Sequence, residues 1–424
     1  MASKILERKY AVTFIIITSL FALWGFANDI TNPLVAAFST VMEISQAKAS
    51  LVQFAFYGGY ATMAIPAALF IQKFSYKSGI LLGLFLYAFG AFMFIPAATC
   101  QNFGFFCISL YVLTFGLAFL ETTANPFILS LGDPKTATRR LNLAQAFNPI
   151  GSLMGMFVAS QFILSNLGSD VRDASGDLIF PTLEAAEKAA VRTQDLELIR
   201  NPYVILGIVV TVVFFVILFT KMPKEQKKEQ FHFGATCRRL FSNKVYRRGV
   251  FTQLFYVASQ IMCWTFIIQY AGHLGIDKAT AQLYNIVAMC LFLVGRFTAT
   301  FLMRYLRPAR ALLFFACGAI ATTLGAIFIE GMAGLYCLMF TSLFMAPMFP
   351  TIYGLSLEKV GKDATLGAAF LVMAIVGGSI MPPLQGMIID LGQVGWLPAV
   401  NFSFVLPLLS FSIIALYAYS NRNN

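Results

Sequence analysis

Charge is what this sequence has least of. Only 12% of its 424 residues are Asp, Glu, Lys or Arg while 58% are hydrophobic, whereas soluble domains run near ~25% charged and ~45–50% apolar. That ratio excludes a water-soluble globule, because no soluble core could bury so much apolar surface. Histidine is nearly missing: His232 and His273 lie in or beside loops, isolated from each other, which excludes a histidine-built metal centre or proton relay. The seven cysteines lie mostly inside apolar runs (Cys107, Cys263, Cys290, Cys317, Cys337) and show no paired metal spacing, so they read as small hydrophobes. A nucleophile–base set, a metal constellation and a phosphate loop are missing too. Nothing marks an enzyme, and no cofactor or metal is expected.

What is present is a series of long apolar runs, each of about 20 residues, enough to cross a ~30 Å hydrocarbon layer as a helix. Membrane segments must satisfy their own backbone, which leaves helices or closed barrels, and unbroken apolar runs exclude the alternation of barrel strands. The expected class is therefore an all-α membrane protein in a lipid bilayer. Spans are expected near 12–38, 49–72, 79–98, 104–131, 141–166 and 202–220, then near 246–272, 280–303, 310–329, 333–356, 365–390 and 397–419. The first run lacks a small-residue cleavage site after a short apolar core and reads as a retained helix.

Twelve spans divide as six plus six: an N-terminal half over 1–220, a basic linker over 221–248 and a C-terminal half over 249–424. An even count puts both termini and the linker on one side. Short loops on that side hold Lys73 and Lys77, Lys135, Arg139 and Arg140, Arg304, Arg307 and Arg310, and Lys359 and Lys362, whereas short loops opposite hold only Lys48 and Lys278. This bias places the linker and both termini in the cytoplasm, as expected for a bacterial inner-membrane protein. It also accounts for most of the net charge of +11, so no nucleic-acid partner is implied. On the far side, Thr182 to Ile199 forms an amphipathic stretch opening after Pro181, expected as a surface helix connecting spans five and six, or else as a lid.

Ionisable residues inside a span are expensive and are functional candidates by default. Glu121, in GLAFLETTANPF, is the sharpest: apolar neighbours disfavour its charged form, which suits a proton-coupling site. A structural carboxylate bonded to Thr122, Asn125 or a neighbouring helix is the alternative. Asp29, in WGFANDITNP, precedes Pro33, where the helix can unwind. Counted along their helices, Asp29 and Glu121 fall at different depths and are expected as successive stations of a proton path. Arg296, in LVGRFTATF, lies about two turns from the cytoplasmic end and is expected to snorkel or clasp a helix end as a conformational latch. No other buried cation offers to pair an anionic cargo.

A neutral, hydroxyl-rich solute calls for amides that both donate and accept, with aromatic faces for its C–H surfaces. Candidates are Asn28 and Asn32 in span one, Asn125 in span four, Gln145 and Asn148 in span five, Gln260, Trp264 and Gln269 in span seven, and Asn285 in span eight. Asn142, Gln145, Asn148 and Ser152 make one polar stripe, read as the wall of a wet cavity, with interhelical glue as the alternative. Gly377-Gly378 and Pro382-Pro383 read equally as hinges or as close-packing points.

The six-plus-six layout resembles the major facilitator superfamily, in which two halves rock about a midplane site. FALWGFAND (21–29), QFAFYGGY (53–60), FSYKSGILLGLFLYAFGA (74–91), LETTANPFILSLG (120–132), RLNLAQAFNPIGS (140–152), VGRFTATFLMRYL (294–306) and FPTIYGLSLEKVG (349–361) carry the likeness further. They resemble the bacterial L-fucose/proton symporter family, which includes carriers similar to glucose/galactose transporters. The resemblance implies that Glu121 takes part in protonation and sugar recognition and that Gln145 and Asn148 bind sugar. The family's span-one run, WGxANxLND, closes on an aspartate where this chain has Asn32, and Asp29 lies one turn earlier. Either Asp29 takes over, or Glu121 couples alone, or the coupling differs.

The expectation is thus a proton-coupled, monomeric symporter of a small neutral sugar, L-fucose first and glucose or galactose next. A proton/drug antiporter and a non-transporting sugar sensor are the competing classes.

Overall fold

A computed structural model describes residues 10–31, 34–44, 46–49, 51–171, 173, 178–220, 233–276, 278–358, 360–389 and 391–422. Among these, twelve helices are long and apolar enough to cross a membrane: Ala11–Thr31, Leu51–Lys73, Tyr76–Thr99, Phe103–Ser130, Pro134–Asn166 and Ala185–Phe219, then Lys244–His273, Thr280–Leu302, Pro308–Phe328, Gly331–Leu357, Ala364–Ile389 and Ala399–Ser420. The expected number and order of spans hold. Among the described residues the elements are helical apart from a far-side hairpin that pairs Gln393–Val394 with Leu397–Pro398.

Span six departs from expectation. Its helix runs unbroken from Ala185 to Phe219, through Pro202, so the amphipathic stretch is its far-side extension and not a separate surface helix. Thirty-five residues make about 52 Å of helix, well beyond a ~30 Å hydrocarbon layer. The projecting turns are tied down. Lys188 and Arg192 pair with Glu43 at 2.9 and 2.8 Å, and Asp195 accepts the backbone N–H groups of Gly168 and Ser169.

Close approach of spans one and five shapes the centre of the molecule. A Cβ on Gly25 would collide with the Asn148 carbonyl, and one on Gly151 or Gly155 with the Ala22 or Phe26 carbonyl. Small residues four apart let two membrane helices touch backbone to backbone. Span five also breaks there: its helix ends at Gln145, and a second starts at Asn148, ahead of Pro149. Proline cannot donate to the carbonyl four residues back. Span ten breaks in the same manner around Pro347, between Met345 and Met348. Gly377 is a packing point, since a Cβ there would meet the Leu254 carbonyl.

On the linker side, spans four and five of the first half close against spans eight, ten and eleven of the second, as does span two against span eleven. Tyr76 meets Thr365 at 3.2 Å, and the Asn142 amide reaches Thr351 at 3.4 Å and the Met303 sulfur at 3.7 Å. Arg140 is buried and clasps the end of span four through the Ile128 and Leu129 carbonyls. The described segments on either side of residues 221–232 are anchored. Lys77 donates to the Leu218 and Thr220 carbonyls, and Arg239 makes a two-pronged contact with Asp363 from the helix Phe233–Ser242.

Candidate functional site

Where the helix breaks meet, a cavity of about 100 Å³ lies between the two halves. Two carboxyl groups, Asp29 and Glu121, open onto it with the amides of Asn28, Gln145, Asn148 and Gln260, the guanidinium of Arg296 and the hydroxyl of Ser152. Phe21, Trp24, Tyr57, Tyr60, Trp264 and Phe349 supply aromatic surface, and Val257, Ile261 and Ile375 an apolar wall contributed by the second half.

Helical periodicity explains most of this set. Trp24 and Asn28 are four apart, Tyr57 and Tyr60 three apart, and Gln260 and Trp264 four apart, so each pair shares a face. Tyr57 donates to the Asn28 oxygen at 3.4 Å, and Asn148 donates to the Phe21 carbonyl at 3.1 Å, which fixes each amide against its neighbour. Trp264 donates to Ser342 at 3.2 Å and stands edge-on to Phe292, with ring centroids 5.0 Å apart.

Gln145 is the centre of the polar network. Its amide nitrogen donates to the Asn125 oxygen at 2.9 Å, and its oxygen accepts from Arg296 Nη1 at 3.1 Å. The second bond crosses between halves. Asn125 is therefore behind Gln145 and not in the cavity wall. Glu121 Oε2 is buried and has no hydrogen-bond partner among the described residues. A structural carboxylate held by Thr122 or Asn125 would show those bonds, and neither is formed.

Several expectations about position need correction. Arg296 does not snorkel to the linker side: it is 3% exposed, faces the cavity and rests on the Phe292 ring at 5.0 Å. Packing of Phe292 and the Gln145 bond hold it inward. Gln269 is exposed and away from the cavity, because nine residues at about 100° each turn it to the face opposite Gln260. Asn285 is buried but is not part of the lining. Asp29 and Glu121, expected as successive stations at different depths, both line this one cavity. Asn32 lies outside the described residues. Trp24, Tyr57, Tyr60 and Phe349 were not expected; the signal for the tyrosines was a pair of hydroxyls in an apolar span, each needing a polar neighbour.

The family model described as Major Facilitator Superfamily matches residues 12–382. The chain belongs to the Major Facilitator Superfamily. Within it, this member is similar to the L-fucose-proton symporter of Haemophilus influenzae, 62% identical over 99% of this chain and 98% of the other. It is 35% identical to the L-fucose-proton symporter of Escherichia coli over 97% of this chain and 93% of the other. The crystal structure of that transporter, FucP, in the outward conformation superposes with a TM-score of 0.86, covering 97% of this chain and 99% of that one. A glucose/galactose transporter of Brucella abortus is 29% identical over 97% of this chain and 94% of its own.

Proposed function

We propose that this chain is a proton-coupled symporter of L-fucose, working by alternating access of one central site. The observation that carries this reading is Glu121: a carboxyl with a buried, unpartnered oxygen opening onto the same cavity as four amides and two tryptophans. The strong likeness to two L-fucose-proton symporters supports the choice of cargo.

In this reading, protonation of Glu121 removes a charge that is costly to enclose in a low-dielectric interior. The sugar then takes the amides of Asn28, Asn148 and Gln260, and draws Gln145 from its bridge to Arg296. Asp29 is the second candidate proton acceptor. Aromatic faces of Trp24 and Trp264 cover the sugar's C–H surface. The Arg296–Gln145 bond acts as the latch: it joins the halves while the site lacks sugar and is released as sugar competes for Gln145. The halves, 1–220 and 249–424, rock as units about the 221–248 linker. We place the protein in the bacterial inner membrane as a monomer, with both termini and the linker in the cytoplasm, because the Lys/Arg bias of the short loops favours that orientation.

Transport of labelled L-fucose by the purified protein in proteoliposomes, with and without an imposed proton gradient, tests the reading. Gradient-driven accumulation is the expected result, and uptake that ignores the gradient contradicts it. A second reading, glucose or galactose as cargo, is favoured by the Brucella abortus relative; stronger competition by D-galactose or D-glucose than by unlabelled L-fucose would support it.

A further inference from the structure

Span seven carries polar groups that the cavity does not use. Gln253 is 0% exposed, and neither its oxygen nor its nitrogen has a hydrogen-bond partner. The Tyr256 hydroxyl is buried and unpartnered in the same way. Gln253, Tyr256 and Gln260 follow one another at three and four residues, so they form one column along the helix. Gln260 lines the cavity; the other two continue from it toward the linker side.

Phe349 adjoins both regions. It belongs to the cavity wall, and its ring lies 6.1 Å from that of Tyr256 and 6.1 Å from that of Tyr353, on which it stacks. The Tyr353 hydroxyl is buried and faces the Asn125 side chain across the boundary between halves, within hydrogen-bonding reach of it. Tyr256 and Tyr353 thus stand beside Phe349, and Gln253 and Tyr256, one turn apart on span seven, carry hydrogen-bonding capacity that this conformation does not use.

Leaving such groups unpaired in a membrane interior is costly. A fold that changes shape can keep them if another of its conformations gives them a partner. The linker-side contacts of spans four and five with spans eight, ten and eleven close this region in the present conformation. Parting of the halves on that side turns the same surfaces into the walls of an open path. Amides and phenolic hydroxyls both donate and accept, as the neighbouring hydroxyls of a sugar require.

We propose that Gln253, Tyr256, Tyr353 and Asn125 form a second, inner binding station for the sugar, exposed when the halves part on the linker side and closed otherwise. It rests on the reading of the chain as a sugar symporter, and adds a release site distinct from the central one.

The test is sidedness. Labelled L-fucose transport is measured in right-side-out and inside-out vesicles for the wild type, Gln253→Leu and Tyr256→Phe. An inner station raises KM from the linker side at least fivefold in the variants and leaves KM from the far side within twofold. Equal shifts from both sides, or no shift from either, overturn it. Tyr256→Phe keeps the ring and its packing, so it carries the test if the leucine variant does not fold. Wild-type vesicles that carry no L-fucose would overturn the proposed function itself, and this station with it.

Discussion

Replacing Glu121 with Gln separates coupling from binding. Glu121 Oε2 has no hydrogen-bond partner among the described residues, so a neutral amide of the same length stands in for the protonated acid without breaking a bond. Sugar affinity should stay within about threefold, since no hydrogen bond worth ~0.5–1.5 kcal/mol is lost. The driving force, by contrast, disappears. One proton moving through ~100 mV supplies ~2.3 kcal/mol, which at ~1.36 kcal/mol per tenfold sustains a concentration ratio of about fifty. Accumulation of labelled L-fucose in energised vesicles should therefore fall from roughly that ratio to about one, while counterflow in the same vesicles, which needs no net proton movement, persists. A variant that still concentrates sugar more than tenfold would refute the assignment and move the proton to Asp29.

Gln260→Ala should raise the KM for L-fucose about tenfold, the worth of one hydrogen bond of ~1–1.5 kcal/mol, while Gln269→Ala, on the exposed face of the same helix, should leave it within twofold. Gly151→Val puts side-chain atoms into the Ala22 carbonyl and forces spans one and five apart; sugar binding should be lost or the protein should fail to assemble, as read by size-exclusion chromatography and labelled-sugar binding. Asp195→Ala leaves the Gly168 and Ser169 N–H groups without their acceptor, at a cost of about 2 kcal/mol. A lower melting temperature in detergent with unchanged substrate KM is the expected outcome.

The twelve spans were legible because a membrane imposes one rule on every one of them, a run of apolar residues as long as the bilayer is thick. Span six was the exception. Its far-side turns read as a separate helix because Asp, Glu, Lys and Arg replace the apolar residues where the helix leaves the lipid, although the helix itself does not stop. Hydrogen bonding within the backbone continues across a change of solvent that composition registers as a boundary.

At the site, intramembrane Asp29, Glu121, Gln145 and Asn148 were visible because each is costly in lipid, and the structure brings all four to one cavity. Phase along the helix settles what cost alone does not: Gln260 faces inward and Gln269 outward though both are amides in one apolar span. Arg296 was placed by its distance from the helix end, but its direction is decided by the Phe292 ring and by Gln145, a residue 151 positions away. The aromatic wall was hidden for a different reason. Among 44 phenylalanines and 16 tyrosines, those that face the cavity do not differ in composition from those that face lipid.

The central claim is that sugar and proton move together. A pH electrode in a suspension of energy-depleted cells expressing the protein tests it directly: adding L-fucose should make the medium more alkaline, and D-galactose, D-glucose and D-mannose should do so less. Entry of labelled L-fucose with no change in external pH would contradict the account and make the chain a uniporter.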